Sequence, residues 1–259
     1  MNKTLQLCED GSYTLFSEKA GECYHSIHGA LTESLHIFIN AGLRTLTENY
    51  SIGIAASGNE SKSVQSKETF IKESLFRQKG LASDFKPIRI LEIGFGTGLN
   101  ALLTAIEAEK NKIPVSYLGL EPFPISRSIV QQLNYCELLQ GNSLPYFKTM
   151  HECEWDKEYL IQPVFNFRKL QVGFMEAGLA NGVFDLIYFD AFSPEAQPEL
   201  WGQEVFNKCF RVLANEGILV TYCAKGRVKR ALKAAGFVIE NLPGPPGKRE
   251  ITRAQKLIQ

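Results

Sequence analysis

No apolar run in this sequence approaches the roughly 18 residues that a membrane span needs. Met1 to Gly11 holds one lysine and no apolar core of the kind that marks an export signal. There is no C-x-x-C pair. The six cysteines, Cys8, Cys23, Cys136, Cys153, Cys209 and Cys223, lie far apart, which argues against a zinc site or a dense disulfide framework. Scattered thiols without an export signal fit a reducing cytoplasm, with buried or idle sulfurs as the expectation. Net charge is absent too, since 28 basic residues balance 28 acidic ones. That excludes a uniformly basic nucleic-acid binder but leaves room for a locally basic face. No internal repeat is present. With 44% hydrophobic and 22% charged residues over 259 positions, the composition is that of a packed globular protein.

The pattern along the chain divides it near position 85. Residues 1–84 read as an N-terminal appendage. Thr4–Cys8 and Tyr13–Phe16 flank Asp10-Gly11, a turn pair, and predict a hairpin. Ala30–Ile39 predicts a helix with Leu31, Leu35, Phe38 and Ile39 on one face. Residues 57–66 read as a polar loop, and 67–79 as a helix. From 85 to 259, short apolar runs alternate with amphipathic stretches. Strands are expected at Ile88–Ile93, Val115–Leu120, Leu170–Phe174, Phe184–Phe189, Ile218–Tyr222, Phe237–Glu240 and Glu250–Ala254. Helices are expected at Asn100–Lys110, Pro124–Leu133, Pro198–Leu213 and Arg227–Ala235. This alternation predicts an α/β fold, a doubly wound and mostly parallel sheet covered on both faces.

The most informative stretch is Leu91-Glu92-Ile-Gly94-Phe95-Gly96-Thr-Gly98-Leu-Asn100, where a strand ends and a helix begins. Glycines there allow a tight turn and bring bare backbone to a ligand at the helix N-terminus. The spacing is G-x-G-x-G, not the G-x-G-x-x-G of dinucleotide sites, and no phosphate loop of the G-x-x-x-x-G-K type is present. Glu92 offers a carboxylate suited to an ammonium group. Glu121, at the end of the next strand, is placed to accept hydrogen bonds from ribose hydroxyls. The set reads as an S-adenosylmethionine site in preference to NAD or a ligand-free turn.

A second strand end, Phe184–Asp190, runs into Ala191-Phe192-Ser193-Pro194. Asp190 is either a site residue at the ligand-binding edge or a cap for the following loop. Amine methyltransferases place a similar [DN]-P-P-[YF] segment at this strand end. A carboxylate there can accept amine hydrogens and aim the lone pair, while Phe192 walls the site. Farther on, Lys225, Arg227, Lys229, Arg230, Lys233, Lys248, Arg249 and Arg253 are opposed only by Glu240 and Glu250. This segment is either a phosphate-contacting face or a solvated helix face. His25 and His28 lack a matching third ligand, so no metal is expected. His36 and His151 read as structural or exposed, and Trp155 and Trp201 as packing residues.

Taken together, Glu92–Asn100, Asp190–Pro194, Trp201 with Phe206, and Gly247-Lys-Arg-Glu250 resemble the bacterial tRNA 5-aminomethyl-2-thiouridine methyltransferases, the MnmC-like family. Gly21–Ser26 and Gly29–Glu33 resemble its N-terminal segment. The resemblance covers about residues 21–254. It implies a Rossmann-like class I methyltransferase that N-methylates the aminomethyl group of wobble uridine in tRNA. It implies S-adenosylmethionine held by Gly94, Gly96 and Glu121, with Tyr24 and Ser26 nearby, and Asp190 as the catalytic residue. The reading of the loops adds Glu92, Phe95, Gly98 and Asn100 to the expected cofactor set and Phe192 and Pro194 to the expected catalytic loop, and the basic run gives Lys229, Arg230, Lys248 and Arg249 as the expected tRNA contact. Phe174 stands where many members carry an adenine-reading Asp, and Glu176 is the substitute on offer. Members often carry a fused FAD-dependent oxidase. These residues hold no such segment, so the aminomethyl form is expected to arrive directly or from a separate enzyme. The rival readings are a small-molecule amine N-methyltransferase and a catalytically silent RNA-binding protein on the same fold.

Overall fold

A computed structural model describes residues 3–48, 87–139 and 141–258. The loop expected at 57–66 and the helix expected at 67–79 lie outside the described residues. An eight-stranded sheet dominates, with the order β10-β11-β9-β8-β4-β5-β7-β6. Its strands are β4 (Ile88–Ile93), β5 (Val115–Leu120), β6 (Glu158–Gln162), β7 (Phe165–Leu170), β8 (Phe184–Phe189), β9 (Leu213–Thr221), β10 (Val238–Pro243) and β11 (Glu250–Gln255). Neighbours from β9 through β8, β4 and β5 to β7 are parallel. β6 pairs antiparallel with β7, and β11 lies antiparallel between β9 and β10. This is the mostly parallel, doubly wound sheet that the alternation predicts.

The central strands are apolar on both faces because both faces are covered. In β4, Ile88 and Ile90 enter one core, while Leu91 and Ile93 enter the other. In β8, Leu186 and Tyr188 face the first core, and Ile187 and Phe189 the second. Helix α2 (Leu99–Asn111) covers the first face, following α1 (Ala30–Ser34). α3 (Arg127–Val130), α4 (Tyr135–Leu139) and α5 (Ser143–Glu152) follow. α6 (Gln203–Val212) and α7 (Gly226–Ala234) supply the second face, including Val205, Phe206, Val228 and Leu232.

The hairpin forms as expected, as β1 (Lys3–Leu7) and β2 (Tyr13–Ser17), and a short β3 (Glu22–Cys23) joins it. Asp10 shapes the turn by accepting from the Ser12 backbone N–H at 3.1 Å. The helix expected at 30–39 departs from the expectation. α1 runs on into a π-helical stretch, Leu35–Arg44. Its wider winding buries Ile37, Phe38, Ile39 and Leu43 and leaves Leu35 exposed. The Arg44 guanidinium clasps Glu107 of α2 with bonds of 2.6 and 2.8 Å. Leu15, Phe38 and Leu43 thereby share the first core with the main sheet.

Three further expectations are corrected. Only Arg127–Val130 of the 124–133 helix forms; Ile129 and Val130 lean on the first core, but none of the four residues is fully buried, so little packing supports a longer helix. The strand expected at 170–174 lies earlier, at Phe165–Leu170, where Phe165, Phe167 and Lys169 alternate inward. The 198–213 helix begins as a 3₁₀ turn, Pro198–Trp201, before α6.

Candidate active site

The glycine loop leaves β4 at the point where β5 and β8 diverge on either side, the switch point at which such sheets bind ligands. Gly94, Gly96 and Gly98 have φ of 93°, 51° and 76°, the left-handed region. At Gly94 space is decisive as well. A Cβ there would lie 2.4 Å from the Asp190 carbonyl oxygen, so the loop runs against the end of β8. Glu121, at the end of β5, accepts from Gly96 N–H at 2.9 Å and from Phe123 N–H at 2.8 Å. Phe95 turns inward against Phe167 and His151. His151 Nε2 donates to the Thr97 carbonyl at 3.0 Å, and burial holds this histidine neutral, down to about 4.

Residues 22–28 lie across this loop. The Tyr24 ring is the nearest atom group to Gly96, 3.1 Å from where a Cβ would sit, and meets Phe192 edge-on at 4.9 Å. His25 Nε2 bonds the Thr97 hydroxyl at 2.9 Å and is also held neutral by burial, down to about 4. Ser26 N–H donates to Glu33 at 2.7 Å. Glu22 accepts from the Ser193 backbone N–H. The segment therefore touches both the glycine loop and the loop after β8.

On the β8 side lies a cavity of about 790 Å³. Asp190, Phe192, Pro194, Tyr24, Tyr222 and Lys248 line it. Two bonds shape the loop: Trp201 Nε1 donates to Phe192 O at 2.8 Å, and the Tyr222 hydroxyl donates to Ala191 O at 2.9 Å. Burial, with the Glu33 charge behind it, pushes Asp190 up to about 7, against the pull of Asn100 and Lys248. Lys248 Nζ pairs with the buried Glu33 at 2.7 Å and rests 4.6 Å from the centre of the Tyr222 ring. The wall thus offers a carboxylate near half-ionisation at neutral pH, three aromatic rings and a neutralised ion pair. It suits a flat, partly cationic group.

Glu92 does not face this opening. It is fully buried, and Asn100 Nδ2 donates to its Oε1 at 2.9 Å and to Asp190 Oδ2 at 2.8 Å. Phe174 is buried, and Glu176 is exposed on the turn after β7, away from the cavity lining. In the basic segment, Lys229 pairs with Glu250, Lys248 with Glu33 and Arg253 with Glu240, while Lys225 and Arg227 share Glu195. Arg230 and Arg249 are exposed, as is Lys233. Glu33, Glu22, Thr97 and Tyr222 were not singled out as site residues from sequence. Glu33 closes the Gly29–Glu33 stretch, a signal that was available. The others are brought in by contacts distant along the chain.

The loop fits a cofactor bound through backbone and ribose, because a side chain at Gly94 would strike the Asp190 carbonyl and one at Gly96 would crowd the Tyr24 ring, while Glu121 stands beside Gly96 N–H. Residues 154–257 match the profile of a family described as S-adenosyl-L-methionine-dependent methyltransferases. The matched residues are those of an S-adenosyl-L-methionine-dependent methyltransferase. It is 28% identical over 260 residues to the tRNA 5-methylaminomethyl-2-thiouridine biosynthesis bifunctional protein MnmC of Cupriavidus metallidurans, a match covering 96% of this chain and 33% of that protein. The protein of the same name from an Azoarcus species is 26% identical over 267 residues, covering 98% of this chain and 35% of that one. This methyltransferase chain thus spans about a third of the length of the curated relatives it matches. The crystal structure of MNMC2 from Aquifex aeolicus superposes with a TM-score of 0.66 at 24% identity, covering 98% of this chain and 70% of that chain, and shows the same fold. Among the described residues, no group of three or more His, Cys, Asp or Glu is placed to hold a metal. No described helix is long and apolar enough to cross a membrane.

Proposed function

We propose that this methyltransferase N-methylates the 5-aminomethyl group of wobble (2-thio)uridine in tRNA, in the cytoplasm, giving the 5-methylaminomethyl base. The observation that carries this reading is Asp190. It stands at the end of β8, against the glycine loop and inside a cavity walled by Tyr24, Phe192 and Tyr222. The kinship to MnmC supplies the substrate class.

S-adenosylmethionine supplies an electrophilic methyl group. Gly94, Gly96 and Gly98 would give it bare backbone, and Glu121 would take its ribose hydroxyls with the lone pairs left after Gly96 and Phe123. An alkylamine has a reference pKa of about 10.4 and enters mostly as the ammonium. Ionised Asp190 accepts one of its hydrogens and takes the proton, leaving the nitrogen lone pair free. The same carboxylate holds the amine in line. The aromatic rings stack the uridine and keep bulk water from the nitrogen.

The tRNA backbone meets the exposed cations Arg230, Lys233 and Arg249, which form no ion pair among the described residues, and Lys229 and Lys248 contribute less because Glu250 and Glu33 already neutralise them. The test is nucleoside mass spectrometry of tRNA from cells lacking the protein, paired with methyl transfer in vitro to that tRNA. Accumulation of 5-aminomethyl-(2-thio)uridine, cleared by the wild-type protein, is the expected result. Unchanged nucleosides together with turnover on free small amines would overturn the substrate assignment.

A further inference from the structure

Asn100 is 1% exposed and Glu92 fully buried, one on the first turn of α2 and the other near the end of β4. The two hydrogens of the Asn100 amide are both committed, one to Glu92 Oε1 and one to Asp190 Oδ2, at 2.9 and 2.8 Å. Behind them, Glu92 Oε2 and Asn100 Oδ1 are buried with no hydrogen bond of full geometry among the described residues. The charged groups facing Glu92 are themselves acids, Asp190 and Glu121, with the hydroxyls of Tyr117 and Tyr188 nearby. An ionised carboxylate with only the neutral Asn100 amide and Tyr117 hydroxyl to stabilise it, and no counter-charge among the described residues, would carry a large desolvation cost. Two acids joined through one amide also resist ionising together.

We propose that Asn100 and Glu92 are positioning residues for Asp190: Glu92 is kept as a neutral acid, and the Asn100 amide clamps Asp190 Oδ2 to it, leaving Oδ1 as the acceptor for the substrate amine. The part of the clamp in methyl transfer rests on the amine methyltransferase reading; the clamp itself does not. Burial, reinforced by the Asp190 charge, holds Glu92 well above the usual carboxylate range, in keeping with the geometry. With Glu92 neutral, Asp190 is the member of the pair that ionises. The other ionisable groups around Asp190 are Glu33 on α1, Lys248 in the β10–β11 turn and Tyr222 after β9. Among the described residues none of them replaces the Asn100 bond, so Asn100 fixes which Asp190 oxygen is free.

The experiment follows the Asp190 carboxyl carbon by NMR titration in the full chain without added cofactor, beside the pH profile of methyl transfer to tRNA bearing 5-aminomethyl-(2-thio)uridine. Asn100→Asp exchanges the donor for an acceptor and adds a like charge. It should raise the Asp190 midpoint by about one pH unit or more, and shift the acid limb of the rate profile in step. Loss of packing alone would lower the rate without moving that limb. Asn100→Ser should raise the midpoint less. Glu92→Gln, a neutral replacement, should leave the midpoint within about half a pH unit of wild type. A fall of about one unit or more in Glu92→Gln would mean that Glu92 carries charge and would overturn the proposal. So would an unmoved midpoint in Asn100→Asp; should that variant fail to fold, an unmoved midpoint in Asn100→Ser decides in the same sense. If the wild-type protein methylates no tRNA, the functional reading fails while the titrations still decide the clamp.

Discussion

The two halves of the site are built in opposite ways. The glycine loop is contiguous: residues 92–100 carry a strand end, three left-handed glycines and a helix start, and Glu121 joins from the neighbouring strand. The cavity wall is assembled mainly from four distant stretches, Glu22–Glu33, Asp190–Pro194, Tyr222–Lys225 and Lys248–Glu250, with Gln6 and Phe16 of the hairpin beside them. The first half acts through backbone and one carboxylate, the second through side-chain charge and aromatic rings. A half made from one contiguous turn is specified by local backbone geometry. A half made from several stretches is specified by packing, and it meets the glycine loop where Tyr24 and Asp190 lie against Gly96 and Gly94.

The sharpest way to break this contrast is Asp190→Ala. Methyl transfer should fall about 10²–10⁴-fold with cofactor affinity largely retained, because the lost contact acts on the reacting amine. Calorimetry and single-turnover rates would check it, and equal losses in both would erase the division between the halves. Next, Glu121→Ala should weaken S-adenosylmethionine binding about 10–100-fold, since a hydrogen bond to a charged group contributes roughly 1.5–3 kcal/mol. Its effect should fall on calorimetric affinity before the rate at saturating cofactor.

The wall should also respond to pH where the glycine loop does not. On the proposed reading Asp190 acts when ionised, and burial pushes it up to about 7. The rate should therefore rise tenfold per pH unit below about 7 and level off above it. Glu33→Gln removes a charge that raises Asp190 and should move that inflection to lower pH. Smaller still is the phosphate footprint. Replacing Arg230, Lys233 and Arg249 with Ala should lower the log–log salt slope of tRNA binding by about 0.7–0.9 per lost contact. Lys229→Ala with Lys248→Ala should lower it less. Finally, both loop-tethering histidines are kept neutral at about 4, below the unfolded value of about 6.5. The unfolded chain binds more protons between those values, so the thermal midpoint should drop as pH falls from about 6.5 to about 4. His151→Gln should flatten that drop.

The same contrast explains what was readable in the sequence. β4, β5 and β8 were placed because strands buried on both faces are unbroken apolar runs, and the glycines because positive φ is a property of single residues. β7 was misplaced because its alternation hides Asn166 and Arg168 among apolar neighbours. The π-helical winding of 35–44 left no periodic trace of the helical kind and misdirected Leu35. Glu92 looked like an open carboxylate because its strand position is correct, yet whether a strand residue faces cavity or core depends on α2 covering it through Asn100. The basic run was visible as charge, but Glu33 and Glu195, which neutralise three of its members, lie outside it in sequence.

One consequence concerns the order in which the molecule takes shape. Glu33 meets Lys248, His36 Nε2 donates to the Pro243 carbonyl at 2.8 Å, and Arg253 donates to Ala41 O and Thr45 Oγ1. Each of these contacts closes almost the whole chain into a loop, the costliest kind of closure and the slowest to form. During synthesis, β4, α2 and β5 can pair long before residue 243 emerges. The cavity wall must wait for the β10–β11 hairpin to reach back to the first helix, so a nascent chain acquires its glycine loop early and its cavity wall last.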